Sequence, residues 1–405
     1  MRCLLILLVF MSIQSVYAGG WIQKSDFGGI ARHRSTGLSI GNQVYMGLGH
    51  YNGGGINVLF DDWWEFDPAT NAWTQKADYL GGPCYHAAAF TIDNIGYVGT
   101  GRTSPLGNTL VQDFYKYDPI TNTWSYIPNF PGTGRRGAVA FVSNGQGYVG
   151  TGETTTGNTA TFYKYSPASN SWSLAPVFPG TARTSSVAFS IGNDGYVGTG
   201  NTTLGSTNDF WQFSGTTNMW SQKANIGPTN RQEAAGFAIN DKGYIGTGDD
   251  FSSGNNFKDI WEYDSNSNTW TEIGNFQGTA RRYLVAISHG NFAYAGLGTN
   301  GTNFKDFWLF DQSLSLIERN LQQLQLSVYP IPSKGHVNFK LAAEGESIFK
   351  EFNIHVFSKY GIEIYSGSIK PGVNSIDLSS ISAGIYFFRT EFDGHTIQNG
   401  QLILI

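Results

Sequence analysis

The sequence predicts an all-β protein built from six copies of one structural unit. Six tryptophans are each followed, 28 residues later, by the last glycine of a Gly-x-Gly step: Trp21, Trp73, Trp124, Trp172, Trp220 and Trp270. The unit recurs every 48 to 52 residues, a period typical of stacked modules that bury their hydrophobic faces against their neighbours. The 52 glycines among 405 residues argue against a helical fold.

Each repeat is expected to contain four antiparallel strands. In the third repeat, alternating small and apolar residues at 138–142 indicate an inner strand, and the Asn-Gly step at 144–145 indicates a hairpin turn. The glycine-rich segment 147–152 is expected to form the second strand, 162–165 the third, and the segment carrying Trp172 the fourth. The repeat is therefore a predicted four-stranded meander.

A constant spacing relates the third and fourth strands of five repeats. Nine residues separate the members of the pairs Trp64 and Trp73, Tyr115 and Trp124, Tyr163 and Trp172, Trp211 and Trp220, and Trp261 and Trp270. Together with the glycine-rich second strand, this spacing resembles the kelch repeat across residues 21 to 311. The resemblance implies a six-bladed β-propeller, one blade per repeat, over residues 19–312.

The sixth repeat lacks a fourth-strand tryptophan of its own. Trp308 occupies the third-strand position, but Ile317 stands nine residues later. Residues 21–24 repeat the pattern of residues 73–76. The N-terminal strand is therefore expected to complete the last blade and close the ring, which removes open sheet edges.

The N-terminus has the features of a secretory signal peptide over residues 1–18. Arg2 precedes an apolar run at 4–11, and Val16 and Ala18 form an acceptable cleavage pair. The run is too short to span a bilayer and no later segment approaches the roughly 20 apolar residues of a transmembrane helix, so no transmembrane anchor is expected. We expect an exported protein.

The cysteine content and the net charge of the chain exclude an internal disulfide and disfavour one class of partner. Cys3 lies within the predicted signal peptide, so Cys84 is the only cysteine expected in the mature chain and no internal disulfide can form. A net charge of −5 and the absence of a basic block disfavour nucleic acid as a partner.

The repeat pattern ends after Asp311, and a polar linker over 313–325 is predicted to lead into a small β-sandwich at 326–405. In this region the motif residues occur in the order Tyr329, Pro330, Pro332, Gly335, Gly384 and Tyr386. Their order resembles the type A C-terminal sorting domain of the type IX secretion system, although Ile331 stands where that family usually has Asn. The resemblance implies a Bacteroidetes-type bacterium, the type IX machinery as partner, and a secreted or outer-membrane surface location.

One face of the predicted propeller varies among the repeats. The interval between the Gly-x-Gly glycine and the third-strand aromatic is 15, 14, 11, 11, 13 and 10 residues. This loop and the entrance to the inner strand lie at the same end of a meander, and variable loops on a rigid scaffold commonly bind ligands. The face is a candidate binding surface.

Five arginines stand at the entrance to the inner strand, with Cys84 in the sixth equivalent place: Arg32, Arg135, Arg183, Arg231 and Arg281. A ring of planar guanidinium groups suits carboxylate, phosphate or sulfate. The alternative is a structural pairing with the acidic residues that open the third strands, which are Asp62, Asp113, Asp209, Asp259 and Asp306.

A second candidate set directly follows the Gly-x-Gly steps. Its members differ in every repeat although the preceding residues hardly change: His50, Arg102, Glu153, Asn201 and Asp249, with Thr299 in the sixth repeat. Packing alone does not require that variety, so they are predicted specificity positions; the alternative is that they are solvated loop residues.

The sequence favours a binding module for an unknown extracellular protein or glycan, without catalysis or cofactor. The main alternative is a sugar mutarotase or epimerase, because similar bacterial six-bladed kelch proteins act on sialic acid; Arg231 and Glu233 would then face the channel. A self-associating surface-layer role is a further alternative. A copper site at Cys84, Tyr85 and His86 is disfavoured, since no second Tyr-His pair accompanies it.

Overall fold

The computed structural model describes residues 20–105, 107, 109–250, 252–314, 325–342, 351–392 and 395–405. Contacts divide the chain into two compact units, one of which is Trp21–Gln312 while the other contains Ser313–Ile405. The predicted signal peptide and residues 315–324 of the predicted linker lie outside the described residues.

The first unit is a β-propeller of six four-stranded antiparallel sheets. The inner strands are Thr36–Ile40, Ala88–Ile92, Val139–Ser143, Val187–Ile191, Ala235–Ile239 and Val285–His289. The second strands are Gln43–Gly47, Ile95–Gly99, Gln146–Gly150, Asp194–Gly198, Lys242–Gly246 and Phe292–Gly296. The third strands are Trp63–Asp67, Phe114–Asp118, Phe162–Ser166, Phe210–Ser214, Asp259–Asp264 and Phe307–Asp311. The outer strands are Ala72–Lys76, Thr123–Ile127, Ser171–Leu174, Met219–Lys223, Thr269–Asn275 and Trp21–Lys24.

The N-terminal strand closes the ring, as the sequence predicts. Trp21–Lys24 pairs antiparallel with the third strand of blade six, with Trp21 opposite Phe310. The Trp21 side chain is 3% exposed and meets Phe276 edge-on at a centroid distance of 5.0 Å. The inner strands of blades six and one are in contact, so both the rim and the centre of the ring are continuous.

The repeated tryptophan has a physical role that explains its constant position. In blades one to five its indole Nε1 donates to a main-chain carbonyl that precedes the blade's own inner strand, 44 to 48 residues earlier in the chain. Trp124, for example, donates to the carbonyl of Ala77 at 3.0 Å. The indole therefore links each outer strand to the segment that enters the blade.

Glycines in the second strands let adjacent blades approach closely. A Cβ built on Gly147 would lie 2.2 Å from the Phe90 ring of the preceding blade, and Phe90 is buried in the core cluster that joins the two blades. No side chain can occupy this position unless the neighbouring ring moves.

We therefore expect Gly147→Ala to lower the free energy of unfolding by about 1–3 kcal/mol, the usual cost of overpacking a filled core. Urea denaturation of the purified protein measures the change. Gly107→Ala is the matched control, because the nearest atom to its added Cβ is 3.5 Å away. Equal stability of the two variants would contradict the close blade contact.

Short additional hairpins decorate the variable face. They are formed by His50–Gly53 with Ile56–Leu59, Glu153–Thr154 with Gly157–Asn158, and Asn201–Thr202 with Gly205–Ser206. Two of them also pair with the entrance of an inner strand, at Arg135–Arg136 and Arg183–Thr184. These hairpins place the residues after the Gly-x-Gly steps beside the residues that lead into the channel.

The second unit contains a three-stranded and a four-stranded antiparallel sheet. The strands are Gln325–Tyr329, His336–Ala342, Phe352–Ser358, Glu363–Ile369, Gly372–Asp377, Gly384–Phe392 and His395–Leu404. One hydrophobic cluster, which includes Phe339, Ile354 and Phe388, joins the two sheets. The observed sandwich agrees with the predicted β fold of this region, and its first strand ends at the motif residue Tyr329.

Candidate functional site

Main-chain hydrogen bonds between blades build the entrance to the central channel. In every blade the amide of the last Gly-x-Gly glycine donates to the carbonyl of the residue at the arginine position in the next blade, at 2.7–2.9 Å. The donors are Gly49, Gly101, Gly152, Gly200, Gly248 and Gly298, and all have φ between 86° and 105°. This left-handed backbone favours glycine, which accounts for the invariance of the motif along the chain.

Two residues beyond each arginine position, the chain turns into the channel. We call the six residues at this place the channel ring: Arg34, His86, Gly137, Ser185, Glu233 and Tyr283. All have φ between 55° and 60°. Successive members are joined by amide-to-carbonyl hydrogen bonds of 2.8–3.1 Å from Arg34 through to Tyr283, so the main chain sets where each side chain starts.

The channel encloses about 220 Å³ and is lined by the channel ring and by small residues of the inner strands. Gly137 and Ser185 leave one side of its entrance open, whereas Arg34, Glu233 and Tyr283 fill the opposite side with polar atoms in mutual contact. This volume is below the roughly 300–1,000 Å³ of most ligand pockets, so the channel suits only a compact small molecule.

Glu233 is the acidic residue of the channel ring. Its carboxylate accepts a hydrogen bond from the hydroxyl of Tyr283 and lies 3.4 Å from Nε of Arg282. Burial raises the pKa of Glu233 to about 7, although the Tyr283 hydrogen bond and the charges of Arg34 and Arg282 act in the opposite direction. A carboxyl group with such a pKa can both accept and donate a proton near neutral pH.

Tyr283 links Glu233 to a cation. Nη2 of Arg34 donates to the Tyr283 hydroxyl, and the Arg34 guanidinium lies 4.0 Å from the centroid of the same ring. Burial also raises the pKa of Tyr283. The phenol therefore remains protonated and orients the Glu233 carboxylate.

A second carboxylate lies beside Glu233. Nη1 of Arg282 is 3.1 Å from Oδ2 of Asp249, so one guanidinium bridges the two acids. Burial raises the pKa of Asp249, against the effect of hydrogen bonds from Gln232 and Arg282. The channel mouth thus holds two acidic groups whose proton affinity is higher than usual.

The histidines of the mouth are held neutral. Burial, followed by the charge of Arg34, lowers the pKa of His33 to about 3 and lowers the pKa of His86 well below its usual value. His86 also packs against Tyr283 at a centroid distance of 5.0 Å. Within the described residues, no group of three or more His, Cys, Asp or Glu is arranged to hold a metal ion.

The five predicted arginines do not line the channel, and their assignment as ligand-binding residues requires correction. Each is at most 1% exposed: Arg32, Arg135, Arg183, Arg231 and Arg281. Four form ion pairs with the acids that open the third strands, namely Asp62, Asp209, Asp259 and Asp306. Their guanidinium groups are paired within the blades, as expected of buried charges. Arg231 therefore does not face the channel and cannot act with Glu233 there.

In blade three the buried arginine is hydrogen-bonded to neutral groups instead of an aspartate. Nη2 of Arg135 donates to the Thr161 hydroxyl at 3.2 Å, and Nη1 donates to the carbonyl of Thr151 at 2.9 Å. Burial lowers the pKa of Arg135 to about 10. In blade two Cys84 takes the arginine position, so the pairing is absent there too.

The sequence contains a signal for this structural role. Wherever the Arg–Asp pair is complete, the third strand carries a tryptophan whose Nε1 donates to the same aspartate: Trp64, Trp211, Trp261 and Trp308. Blades two and three, which lack the pair, carry Tyr115 and Tyr163 instead. The correlated residue types mark the arginines as partners of the third strand.

The five residues predicted as specificity positions lie one in each of blades one to five, beside the segments that lead into the channel. His50 and Asp249 are buried, while Arg102, Glu153 and Asn201 are half-buried. Each is bridged to the residue that precedes the channel ring, as in the pairings of His33 with His50 and Tyr85 with Arg102. Glu153 binds Arg136 at 2.7 Å, and the carbonyl of Asn201 accepts from Asn158 at 3.0 Å. Their role in ligand binding stays a prediction.

The predicted sorting-motif residues lie in the second unit, at the ends of strands and at a turn. Gly335 has a φ of 104°, and Tyr386 is buried with its hydroxyl donating to the carbonyl of Ser382 at 2.8 Å. Tyr329 ends the first strand, Pro330 and Pro332 follow it, and Gly384 begins the strand that carries Tyr386.

Cys84 is a small buried residue rather than a reactive thiol. Its side chain is 1% exposed, and Sγ lies 3.5 Å from the carbonyl oxygen of Thr100. Burial raises the pKa of the thiol to about 12. We therefore expect no reaction with an aromatic disulfide reagent at pH 8 in the folded protein, since the thiolate is the nucleophile, and stoichiometric reaction after denaturation. Rapid labelling of the native protein would contradict this placement.

Comparison with known families agrees with both units. Residues 83–131 match the Kelch motif, and residues 327–404 match the secretion system C-terminal sorting domain. The sorting domain points to the type IX export machinery and to cell-surface attachment. Among the described residues, no helix is long and apolar enough to cross a membrane.

The propeller is also similar to individual proteins. Over 118 residues, 28% of this chain, it is 33% identical to N-acetylneuraminate epimerase 2 of Escherichia coli O6:H1 (strain CFT073) and to N-acetylneuraminate epimerase of Shigella flexneri serotype 5b (strain 8401). The match spans only 30% of those relatives' length. A solved structure titled "Structure of YjhT" aligns with a TM-score of 0.59 and 21% identity, covering 71% of this chain and 96% of that one, and this likeness shows the fold alone. The chain therefore combines a six-bladed β-propeller that contains a Kelch motif with a C-terminal region that matches the secretion system sorting domain.

Proposed function

We propose that this exported propeller binds a small carboxylated sugar in its channel and interconverts the anomers of that sugar. The observation that carries the proposal is Glu233, an enclosed carboxyl group with a pKa of about 7 that contacts Tyr283 and Arg282. The proposal gives catalysis precedence over the binding role that the sequence favours, because the channel holds an acid–base group that a passive binding surface does not need.

Glu233 has the properties that anomer interconversion requires. As a carboxylate it can take the proton from the anomeric hydroxyl while the bond between the anomeric carbon and the ring oxygen breaks. The protonated carboxyl can then deliver that proton to the ring oxygen, which yields the open-chain carbonyl form and leaves the enzyme unchanged. Closure on the other face of the carbonyl reverses these steps and gives the opposite anomer.

The neighbouring cations support this chemistry. Arg282 lies on the Glu233 carboxylate and Arg34 lies on the Tyr283 hydroxyl. Guanidinium groups in a site removed from water stabilise negative charge that develops on a reacting oxygen. Tyr283 holds the carboxylate in one orientation, so little rearrangement is needed before proton transfer.

Relatives named N-acetylneuraminate epimerase support an anionic sugar as the substrate class. The similarity covers 28% of this chain, so the substrate itself is part of the proposal. The proposal includes removal of residues 1–18 as a signal peptide, a linker over 313–325, and use of residues 326–405 as an export address in a Bacteroidetes-type cell.

A recognition role without catalysis is the second candidate. It is favoured by the hairpins on the variable face, which differ in length between blades, at residues 50–59, 153–158 and 201–206. Differences of this kind give the face an irregular surface suited to one extracellular protein or glycan.

Anomer exchange measured by NMR separates the two candidates. The purified protein is added to N-acetylneuraminate, and exchange between the two anomeric signals is compared with the spontaneous rate at the same pH. The methyl glycoside, whose anomeric oxygen is blocked, serves as a ligand that can bind but cannot exchange. Acceleration supports the enzyme; binding of both compounds without acceleration supports recognition alone. Absence of both binding and acceleration would refute this substrate.

A further inference from the structure

The ring of Tyr85 is the centre of a second polar cluster at the channel mouth. The imidazole of His50 stacks on it at a centroid distance of 5.2 Å and an interplanar angle of 21°. The guanidinium groups of Arg34 and Arg102 each lie 5.9 Å from its centroid. We refer to these four residues as the Tyr85 cluster.

Three nitrogens of the Tyr85 cluster are buried without a hydrogen-bond partner among the described residues: Nε of Arg34, Nε of Arg102 and Nδ1 of His50. His50 itself is 7% exposed. Leaving buried polar atoms unpaired is unfavourable, and three such atoms around one aromatic ring indicate a place that a polar ligand completes.

Arg102 differs from the other arginines of the mouth. Arg34 donates to Tyr283, Arg136 is paired with Glu153, and Arg282 is paired with Asp249. Within the part of the chain that the structure describes, the Arg102 guanidinium makes no hydrogen bond or ion pair. Its planar fork is therefore available to an anion, and such forks match carboxylates in a bidentate manner.

The charges around Tyr85 favour an anion on this side of the mouth. Nη1 of Arg136 lies 3.4 Å from the Tyr85 hydroxyl, which brings a third guanidinium to the cluster. The acids Glu233 and Asp249 lie in blade five and are joined there by Arg282. A ligand with one carboxylate would therefore direct that group toward Tyr85 rather than toward Glu233.

His50 adds a contact of a different kind. Its Nε2 donates to Oδ1 of Asn57 at 2.5 Å in the neutral tautomer that carries the proton there. Nδ1 of this tautomer is an acceptor, so it can receive a hydrogen bond from a hydroxyl group next to a carboxylate. The cluster therefore combines a cationic fork with a hydroxyl acceptor.

We infer that the Tyr85 cluster is a carboxylate-binding subsite in which Arg102 holds the carboxylate of a sugar acid and His50 accepts from a hydroxyl of the same ligand. The inference rests on the proposed function, because it fixes how the substrate would lie against Glu233. Arg34 connects the two places, since it lies beside Tyr85 and donates to the Tyr283 hydroxyl that holds Glu233.

Calorimetric titration with N-acetylneuraminate and with its carboxyl methyl ester tests the subsite. The wild-type protein is expected to bind the acid at least about 10-fold more tightly than the ester, as a charge-assisted hydrogen bond implies. Arg102→Gln should lose this preference while its affinity for the ester stays unchanged, and Arg102→Lys should retain part of it. Lys258→Gln, which removes one exposed positive charge elsewhere on the propeller, is the matched control and should behave as wild type.

Several outcomes would overturn the inference: an unchanged acid preference in Arg102→Gln, equal binding of acid and ester by the wild type, or no binding of either. Circular dichroism of Arg102→Gln establishes that a loss of preference does not come from unfolding. Anomer exchange separates this inference from the proposed function. Binding of the acid that depends on Arg102, without exchange, would keep the subsite and remove the catalytic role; exchange with an unchanged preference in Arg102→Gln would do the reverse.

Discussion

Replacing Glu233 by Gln is expected to lower the catalysed rate of anomer exchange at least about 100-fold, since general acid–base catalysis typically contributes 10²–10⁴-fold. Gln keeps the size of the side chain and an oxygen that accepts from Tyr283, but it cannot take up a proton. The rate is measured by NMR exchange at saturating sugar. Glu65→Gln is the control, because Glu65 lies on the third strand of blade one and binds Tyr45 and Lys76 outside the channel.

The titration of Glu233 should cause two pH effects in the wild-type protein, one on the exchange rate and one on stability. If the Glu233 carboxylate is the base, the wild-type rate should rise as the pH passes through about 7. Stability should change in the opposite direction. The pKa in the folded state is raised above the ordinary 4.5, so the folded state binds the proton more strongly, and the resulting stabilisation is lost as the pH rises through about 7.

Glu233→Gln, which is neutral at every pH, should therefore unfold at a higher denaturant concentration than wild type above pH 7. The difference is on the order of 3 kcal/mol for a displacement of this size, and urea titrations at pH 5 and pH 8 measure it. An unchanged exchange rate in Glu233→Gln would assign proton transfer to another group. A difference in unfolding free energy between Glu233→Gln and wild type that is the same at pH 5 and pH 8 would contradict the enclosed position of the carboxyl.

Removal of the aspartate from a buried Arg–Asp pair should have the largest effect on stability. Asp209 receives Nη1 and Nη2 of Arg183 at 2.5 and 2.6 Å and the Trp211 Nε1 at 2.8 Å. Asp209→Ala leaves the Arg183 charge, which is 1% exposed, without a counter-ion. We expect the free energy of unfolding to fall by about 3–5 kcal/mol, the usual cost of leaving a buried charge unpaired.

Blade three provides the comparison for this prediction. Thr161→Val removes a neutral hydroxyl from Arg135 and should cost less, about 1.5–3 kcal/mol, the usual value of a hydrogen bond to a charged group. Urea denaturation of both variants measures the difference, and equal losses would show that the carboxylate charge is unimportant. Burial tends to raise the pKa of Asp209, but hydrogen bonds and the charge of Arg183 outweigh it and lower that pKa. The contribution of the pair should therefore disappear as acid protonates Asp209 below its usual titration range.

The fold is largely predictable from the sequence because its determinants recur with the repeat. Each repeat tryptophan contacts the chain segment entering its own blade. In blades two to five, one glycine of the second strand lies against the preceding blade, as Gly147 lies against Phe90. These contacts join equivalent positions, so they appear in the sequence as fixed spacings. The closure by residues 21–24 is predictable for the same reason.

The candidate site is less predictable because the channel ring has no shared residue type. Arg34, His86 and Glu233 occupy equivalent positions, yet only their distance from the arginine position relates them. The arginines misled the prediction because their burial depends on an acid 25 to 30 residues later in the chain. The variable positions that the sequence did single out, after the Gly-x-Gly steps, belong to the neighbouring segment rather than to the channel ring.

The main-chain bonds from the Gly-x-Gly amides to the arginine-position carbonyls make the shape of the channel independent of the side chains that line it. They use no side-chain atom, so the six channel positions are held alike whether they carry guanidinium, imidazole, carboxylate, phenol, hydroxyl or hydrogen. Substitution at any one of these six positions is therefore expected to change the chemistry of the channel while the main-chain bonds stay in place. The position equivalent to Glu233 of blade five is occupied in blade three by Gly137, which has no side chain. A side chain introduced at Gly137 would therefore add a new functional group to the channel.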